Sequence, residues 1–408
     1  MTIAPAPAST HLAALRPEAL AVPESGIVEV FNYGRNLPGL IPLWVGEGDL
    51  ATPAVILEAA RKSLADGETF YTYQRGVPEL REAIARYMTL HYGGPFAGSA
   101  KPFEPDRFFV TIGGMHALQL AVRMTCGPGD EVIVPSPAWP NFEGVLLAAG
   151  ARPVATPLVF DEAKAEPVWR LDFNALDAAV TPATRAIIVN SPANPTGWVA
   201  SLDDLRVLLD LARRHSLWII ADEIYGRFFY EGGRAPSFHD IIDENDRVLF
   251  VQTFSKNWAM TGLRIGWLEA PPALGQIIEN LIQVSTSGAP VPTQRAAVAA
   301  LTQGEPFFQM QASRARANRD LLAEALRSTG RARLASPRGA FYMFCGFEGE
   351  DDTRALAFRL VEEAKVGVAP GTAFGPGGAP FMRMCFARDS GQIEQAADRL
   401  VGWLRRRS

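Results

Sequence analysis

The chain is poor in sulfur and in unbalanced charge. Only three of its 408 residues are cysteine (Cys126, Cys345 and Cys385), far apart and without a CxxC pair, and its five histidines form no cluster with them. That pattern reads as small buried hydrophobes in a reducing compartment rather than a disulfide framework or a zinc site, and no metal is expected. Charged residues are 20% of the chain and sum to −5, so the basic excess that nucleic acid or an anionic membrane surface would want is missing. No apolar run approaches about 18 residues without a charge, which removes a membrane span. The first charged residue is Arg16, and Pro5 and Pro7 interrupt the stretch before it, unlike a secretory leader. A cytoplasmic location is the expectation. What is abundant is apolar surface: 48% hydrophobic residues exclude general disorder, and at this length about three quarters of the unfolded area is expected to be buried.

Residues 1–24, rich in Ala and Pro, carry little pattern and read as a flexible or docking arm. From about Pro53 to Gly288, short apolar runs alternate with helical patterns. The runs are Phe108–Ile112, Glu131–Val134, Ala186–Asn190, Leu217–Asp222 and Val248–Thr253, and the helical patterns include Met115–Met124 and Leu202–His215. Strands apolar on both faces and separated by helices predict an α/β domain with a mostly parallel sheet covered by helices. After Gly288 helices dominate, with strand-like pieces at Ala340–Cys345 and Phe381–Phe386. The expected division is an arm (1–24), a large domain (53–288), and a smaller α+β domain built from 25–52 and 289–408.

In such a sheet ligands bind beyond the carboxyl ends of the strands. Gly113-Gly114-Met115 follows one strand and opens a helix, a place where amide N–H groups can meet an anion; a plain strand–helix turn would look the same. Asn194-Pro195-Thr196-Gly197 follows another, and is either a simple β-turn or a rigid mount for the Asn194 amide. Asp222 ends the apolar run Leu-Trp-Ile-Ile-Ala, as a helix N-cap or as a fixed counter-charge for a ligand, with Tyr225 one helical turn on. The densest segment is Thr253-Phe-Ser255-Lys256-Asn-Trp-Ala-Met-Thr-Gly-Leu-Arg264-Ile-Gly-Trp. Lys256 between Phe254, Trp258 and Met260 is expected to be desolvated towards a nucleophilic amine, and Thr253, Ser255 and Arg264 form a phosphate-binding set. Arg383, alone in Phe-Met-Arg-Met-Cys-Phe, wants a carboxylate, either a ligand's or an internal Asp or Glu.

Taken in order, these motifs resemble a class I/II aminotransferase of pyridoxal-phosphate fold type I, similar to the aspartate aminotransferase superfamily, from about Ser25 onward. The resemblance implies pyridoxal 5′-phosphate as cofactor and an L-amino acid and a 2-oxo acid as ping-pong substrates. It implies that Lys256 forms the Schiff base and shuttles the proton, and that Asp222 pairs with the pyridine nitrogen. Asn194 and Tyr225 would bond the phenolic oxygen, and Trp139 would stack on the ring. The amides of Gly113, Gly114 and Met115, with Thr253, Ser255 and Arg264, would hold the phosphate. Arg383, assisted by the backbone around Gly46, would bind the substrate α-carboxylate. Tyr71 would reach the partner subunit's phosphate, which implies a homodimer with shared active sites; Tyr73 lies close enough to compete for that role.

Some positions depart from the family pattern. Met115 stands where some relatives carry lysine, and no arginine occurs in Ser285–Thr293. A neutral, aromatic or otherwise non-acidic substrate side chain is therefore expected rather than aspartate. Gly48 replaces a proline in Gly-Glu-Gly-Asp, which would loosen that loop, and Cys385 replaces a serine beside Arg383. The principal alternative is a carbon–sulfur β-lyase on the same scaffold, which needs no 2-oxo acid acceptor. An oxidase is more remote, and a ligand-sensing domain would want an attached DNA-binding region that 1–24 is too short to supply.

Overall fold

The computed structural model describes residues 10–407. Eight strands form the main sheet, side by side in the order Phe108–Thr111, Gly266–Glu269, Val248–Thr253, Trp218–Asp222, Thr184–Asn190, Glu131–Ser136, Arg152–Asp161, Val168–Leu171. Neighbours from Val248–Thr253 through Arg152–Asp161 are parallel, while Gly266–Glu269 and Val168–Leu171 run antiparallel to theirs. Successive residues of one strand enter opposite cores. Ile187, Val189, Ile219 and Ala221 join one hydrophobic cluster, and Ala186, Ile188 and Ile220 join the other. A sheet covered on both faces must therefore read as unbroken apolar runs, which is why those strands were visible in the sequence.

Three strands of this sheet were not expected. Arg152–Asp161 carries Pro153 and Pro157, which argue against a strand. Its first half pairs with Glu131–Ser136 on one side only, and its second half forms a hairpin with Val168–Leu171, so the prolines sit where a missing N–H is tolerated. Gly266–Glu269 is only four residues long. Its glycine is required by contact. A Cβ on Gly266 would lie 2.6 Å from the Gln252 carbonyl and 2.9 Å from the Gly113 backbone, so the strand that follows Arg264 can approach the Gly113–Gly114 turn only without a side chain.

A second, antiparallel sheet has the order Ala332–Leu334, Tyr342–Phe347, Met382–Cys385, Ala369–Pro370. The segment after helix Gly26–Gly34 joins it from the other end of the chain: Ile41–Pro42 pairs in parallel with Val366–Gly367, and Leu43 O accepts the Cys385 amide at 2.7 Å. Trp44 follows, 1% exposed and wedged between Gly34 and Gly367; a Cβ at either glycine would lie within 2.7 Å of its ring. Helix Val291–Gln303, just past the expected boundary at Gly288, packs against helices Ala54–Ala65 and Pro78–Tyr92 rather than on the second sheet. Of the arm, residues 1–9 lie outside the described residues, and Pro17–Leu20 is a short helix against Asn141–Ala149.

Gly266→Ala forces a methyl group into backbone atoms that cannot move aside. It is expected to destabilise the protein by about 1–3 kcal/mol or more, read as a lowered urea midpoint at unchanged m-value.

Candidate active site

Strands Glu131–Ser136, Thr184–Asn190, Trp218–Asp222 and Val248–Thr253 end on one side of the sheet, and a cavity of about 520 Å³ lies there against the second sheet. Gly46, Gly114, Met115, Trp139, Asn194, Asp222, Tyr225, Thr253, Ser255, Lys256, Arg264 and Arg383 all line it, from positions spread over more than 300 residues. Gly113 does not. It is buried behind Arg264, with φ of +72° and a would-be Cβ 2.7 Å from an Arg264 nitrogen, so it shapes the turn while Gly114 and Met115 face the space. Tyr71 does not either. It is 94% exposed, beside Thr286–Pro290, and with Phe70 and Tyr73 it forms an exposed aromatic patch.

Lys256 sits in a turn directly after Val248–Thr253. Gln311 donates its side-chain amide to the Lys256 carbonyl at 3.2 Å, and Thr253 Oγ1 bonds Ser255 Oγ at 2.9 Å. Phe254 and Trp258, expected to desolvate the amine as sequence neighbours, pack instead into the core with Trp267 and Tyr87. The amine is nonetheless held in a buried site, where Nζ donates to the Gly46 carbonyl at 2.8 Å. Burial lowers its pKa to about 8, opposed by the Cys385 thiol and Glu47 and reinforced by Arg383 and Arg264.

Asp222 is 2% exposed, and among the described residues no cation lies at hydrogen-bonding distance from it. Its carboxylate accepts the Ile224 amide at 3.3 Å. Burial pushes its pKa up to about 7, while that N–H and the charge of Lys256 pull the other way. No helix follows Asp222: residues 224–227 form a turn, so Tyr225 is placed by a turn and not by a helical period. Tyr225 OH bonds Tyr342 OH at 2.7 Å, and burial raises both phenols. Asn190, the last residue of its strand, joins this group. Its Nδ2 donates to the Asp222 carbonyl at 3.1 Å, and its Oδ1 accepts the Asn194 amide at 2.8 Å.

Arg383 is 2% exposed, and none of the ion pairs among the described residues involves it. Its guanidinium donates to Asn194 Oδ1 at 2.9 Å and to the Trp44 carbonyl, and lies 4.7 Å from the Tyr342 ring centre and 4.9 Å from that of Phe374. Nε has no partner. An internal Asp or Glu is thus not what holds it; a buried cation with neutral neighbours and a spare donor is suited to an incoming anion. Asn194, whose oxygen is committed to Arg383, keeps its NH₂ group as donor. The loop expected to be loosened by Gly48 is tied at several points: Lys256 to Gly46 O, Cys385 Sγ to Glu47 O at 3.6 Å, Thr261 to the Glu47 carboxylate, and Arg314 to Asp49.

Asn190 closes the run Ala186–Asn190 and was visible as a polar strand end, whereas Tyr342 and the Trp44–Val45 segment were missed by sequence reasoning. Tyr342 has one signal, visible only with its partner: a Cβ on Gly46 would lie 2.6 Å from its hydroxyl. The Trp44–Val45 segment holds no motif of its own.

Residues 38–400 match the family described as aminotransferase class I and II. A putative aminotransferase of Bacillus subtilis is 33% identical, the match covering 93% of this chain and 95% of that protein. An aromatic-amino-acid aminotransferase of Thermococcus litoralis is 32% identical over 92% of this chain and 94% of its own. Among solved structures, a mutant of the Thermus thermophilus aspartate aminotransferase superimposes with a TM-score of 0.85 at 33% identity, covering 95% of this chain and 99% of that one.

The raised pKa of Asp222 has a consequence for stability. Between about pH 4 and pH 7 the folded, ligand-free chain binds this proton more tightly than the unfolded chain, so that carboxyl makes stability fall as pH rises through the window. Asp222→Asn removes this contribution. Urea titrations of both ligand-free proteins from pH 4 to 8 are expected to show the variant gaining stability relative to wild type as pH rises; parallel curves would refute the assignment.

Proposed function

Since the chain belongs to the aminotransferase class I and II family, and is accordingly a pyridoxal-phosphate-dependent transaminase, we propose that it binds pyridoxal 5′-phosphate itself, in the cavity just described. The donor set suits that group. Helix Gly113–Thr125 starts without a side-chain cap, so its first-turn amides favour an anion, and Thr253, Ser255 and Arg264 add hydroxyls and a guanidinium. Among the described residues Asp222 lacks a counter-cation, which a protonated ring nitrogen would supply. Asn194 and Tyr225 can donate to a ring oxygen, and Trp139 offers an aromatic face.

One observation carries the reading. Lys256 binds the Gly46 carbonyl and Arg383 binds the Trp44 carbonyl, so an amine and a carboxylate-binding guanidinium converge on a three-residue segment. That pairing suits an α-amino acid held by its carboxylate at Arg383 with its Cα–H turned towards Lys256. When bound, pyridoxal phosphate supplies an electron sink for the pair left at the substrate Cα and a carrier for the amino group. The protein does the rest. Arg383 fixes the α-carboxylate and so presents the Cα–H bond. Lys256 Nζ, far more often unprotonated near neutral pH than a surface lysine, takes the α-proton. Asp222, whose proton is lost readily once a cation faces it, holds a negative charge at the foot of the site. Tyr342 steadies both Tyr225 and the Arg383 face.

Relatives named as aminotransferases do not favour the β-lyase reading. We place the partners as a small L-amino acid and a 2-oxo acid, with neither nucleic acid nor membrane. No helix among the described residues is long and apolar enough to cross a membrane; a cytoplasmic location is part of the same proposal. The division into arm (1–24), large domain (53–288) and small domain (25–52 with 289–408) is supported by the Ile41–Pro42 pairing with Val366–Gly367. The packing of Val291–Gln303 supports moving the second boundary into helix Glu305–Arg327. The exposed Phe70–Tyr73 patch supports a homodimer completed through Tyr71.

Lys256→Ala is expected to abolish turnover and the visible absorbance of the linked cofactor. Arg383→Ala is expected to lower kcat/KM by roughly 30-fold or more, because it removes the charge that meets the carboxylate. Product formed without any 2-oxo acid acceptor beyond the first turnover would instead mean a lyase. Tyr71→Phe should weaken cofactor retention measured by dialysis, and sedimentation should give a dimer; a fully active monomer contradicts the shared site.

A further inference from the structure

Helix Gly113–Thr125 begins at the end of the cavity assigned above to the cofactor phosphate, and it starts without the common helix-starting device. A Ser, Thr, Asp or Asn at the N-cap would hold the helix start by accepting a first-turn N–H. An anion at the same place needs those N–H groups for itself. The N-cap here is Ile112, which has no side-chain acceptor. The turn after it is tight: Gly113 takes φ of +72°, and Thr111 Oγ1 donates to its carbonyl at 3.0 Å. The direction of the first-turn amides must therefore be fixed by something other than an N-cap side chain.

His116, one turn into the helix and 7% exposed, reaches back to do this. Its Nδ1 accepts the Ile112 N–H at 3.3 Å, and its Nε2 lies 2.9 Å from Ser285 Oγ at the end of helix Gly275–Ser285. Elimination places the protons. A backbone N–H only donates, so Nδ1 is the acceptor. Ser285 Oγ gives its own proton to the Leu281 carbonyl at 2.7 Å, so it accepts from Nε2–H. One neutral tautomer meets both contacts. Burial, reinforced by Arg123, lowers the ring's pKa to about 4 and keeps it neutral near pH 7. The arrangement is half of a capping box: a side chain inside the helix bonds the N-cap N–H, while no N-cap side chain takes a first-turn N–H in return. We infer that His116 is a positioning residue for the cofactor phosphate, fixing the Gly113–Met115 turn against Ser285 while leaving its amides to the anion. This rests on the reading of that turn as the phosphate end of the site. It adds a residue that is not part of the cavity lining and acts only through the backbone it holds.

Equilibrium dialysis of the full chain against pyridoxal 5′-phosphate, and separately against pyridoxal, which lacks the phosphate, tests this without turnover. His116→Leu removes the acceptor and keeps a side chain that favours a helix. It is expected to weaken pyridoxal 5′-phosphate binding about five- to tenfold, the worth of one hydrogen bond, and to change pyridoxal binding by less than about twofold. His116→Ala serves the same purpose if His116→Leu does not fold. His116→Gln restores an acceptor and a donor, and should bind the phosphate form within about twofold of wild type. Unchanged pyridoxal 5′-phosphate affinity in the variant without an acceptor overturns the inference. Equal losses for both ligands overturn it as well, because the residue then serves general packing and not the phosphate turn. So does a His116→Gln variant as weak as His116→Leu, since the acceptor is then not what matters. If wild type binds pyridoxal as tightly as pyridoxal 5′-phosphate, the phosphate reading of the turn is itself wrong, and the role of His116 falls with it.

Discussion

The site depends on how one short backbone segment is held. Trp44 is locked between Gly34 and Gly367, each of which has given up a side chain to admit the indole ring. Leu43 is bonded to Cys385, and Ile41–Pro42 is paired with Val366–Gly367. With its position fixed from both sides, the segment offers two carbonyls to two buried cations. One cation comes from the end of the main sheet and the other from the middle of the second. Neither has a carboxylate partner among the described residues. Burial lowers the affinity of the lysine for its proton, with a smaller contribution from the Arg383 charge, and that is the condition its chemistry requires.

A second set of contacts fixes the opposite pole. Asp222 is the last residue of a strand buried on both faces, so its carboxylate is carried into the protein by the sheet and not by any interaction of its own. The cost of that burial shows in its raised pKa. Asn190, on the neighbouring strand, holds the Asp222 carbonyl with one atom and the Asn194 amide with another, and Asn194 in turn holds Arg383. The acid end and the carboxylate-binding end are thus connected through neutral hydrogen bonds, which transmit position without cancelling either charge. Ile27, Val28 and Phe31 of helix Gly26–Gly34 line the cavity from the N-terminal part of the chain.

Much of this was legible because buried parallel strands and their turns leave local marks. The runs ending at Thr253, Asp222 and Asn190 are apolar throughout, and the polar residue at each end stands out against them. Helix Leu202–His215 begins and ends where its pattern does, with Ser201 and Asp204 closing a capping box. Asp222 and Arg383 were nameable for this reason, one closing a run and the other alone within one, while Lys256, Asn194 and Arg264 were named by the motifs that follow such runs. Arg152–Asp161 was hidden because its prolines are tolerated only where half of the strand is an edge, a fact about neighbours. Gly266–Glu269 was hidden by being short.

What the sequence by itself determined is the set of chemical groups and the order in which the strands present them, because residue type and period 2 alternation act within a few residues. Tertiary structure alone decided which groups meet. Arg383 is separated by more than 300 residues from the Trp44 carbonyl that receives it, and no local preference spans that distance. Whether Arg383 meets an internal acid or stays free for a ligand, whether Lys256 is desolvated by its neighbours or by the cavity, and which face the N-terminal helix lends to the site are matters of packing. They are settled by close contacts at Gly34, Gly46, Gly266 and Gly367, where the absence of a Cβ has meaning only once the partner is in place.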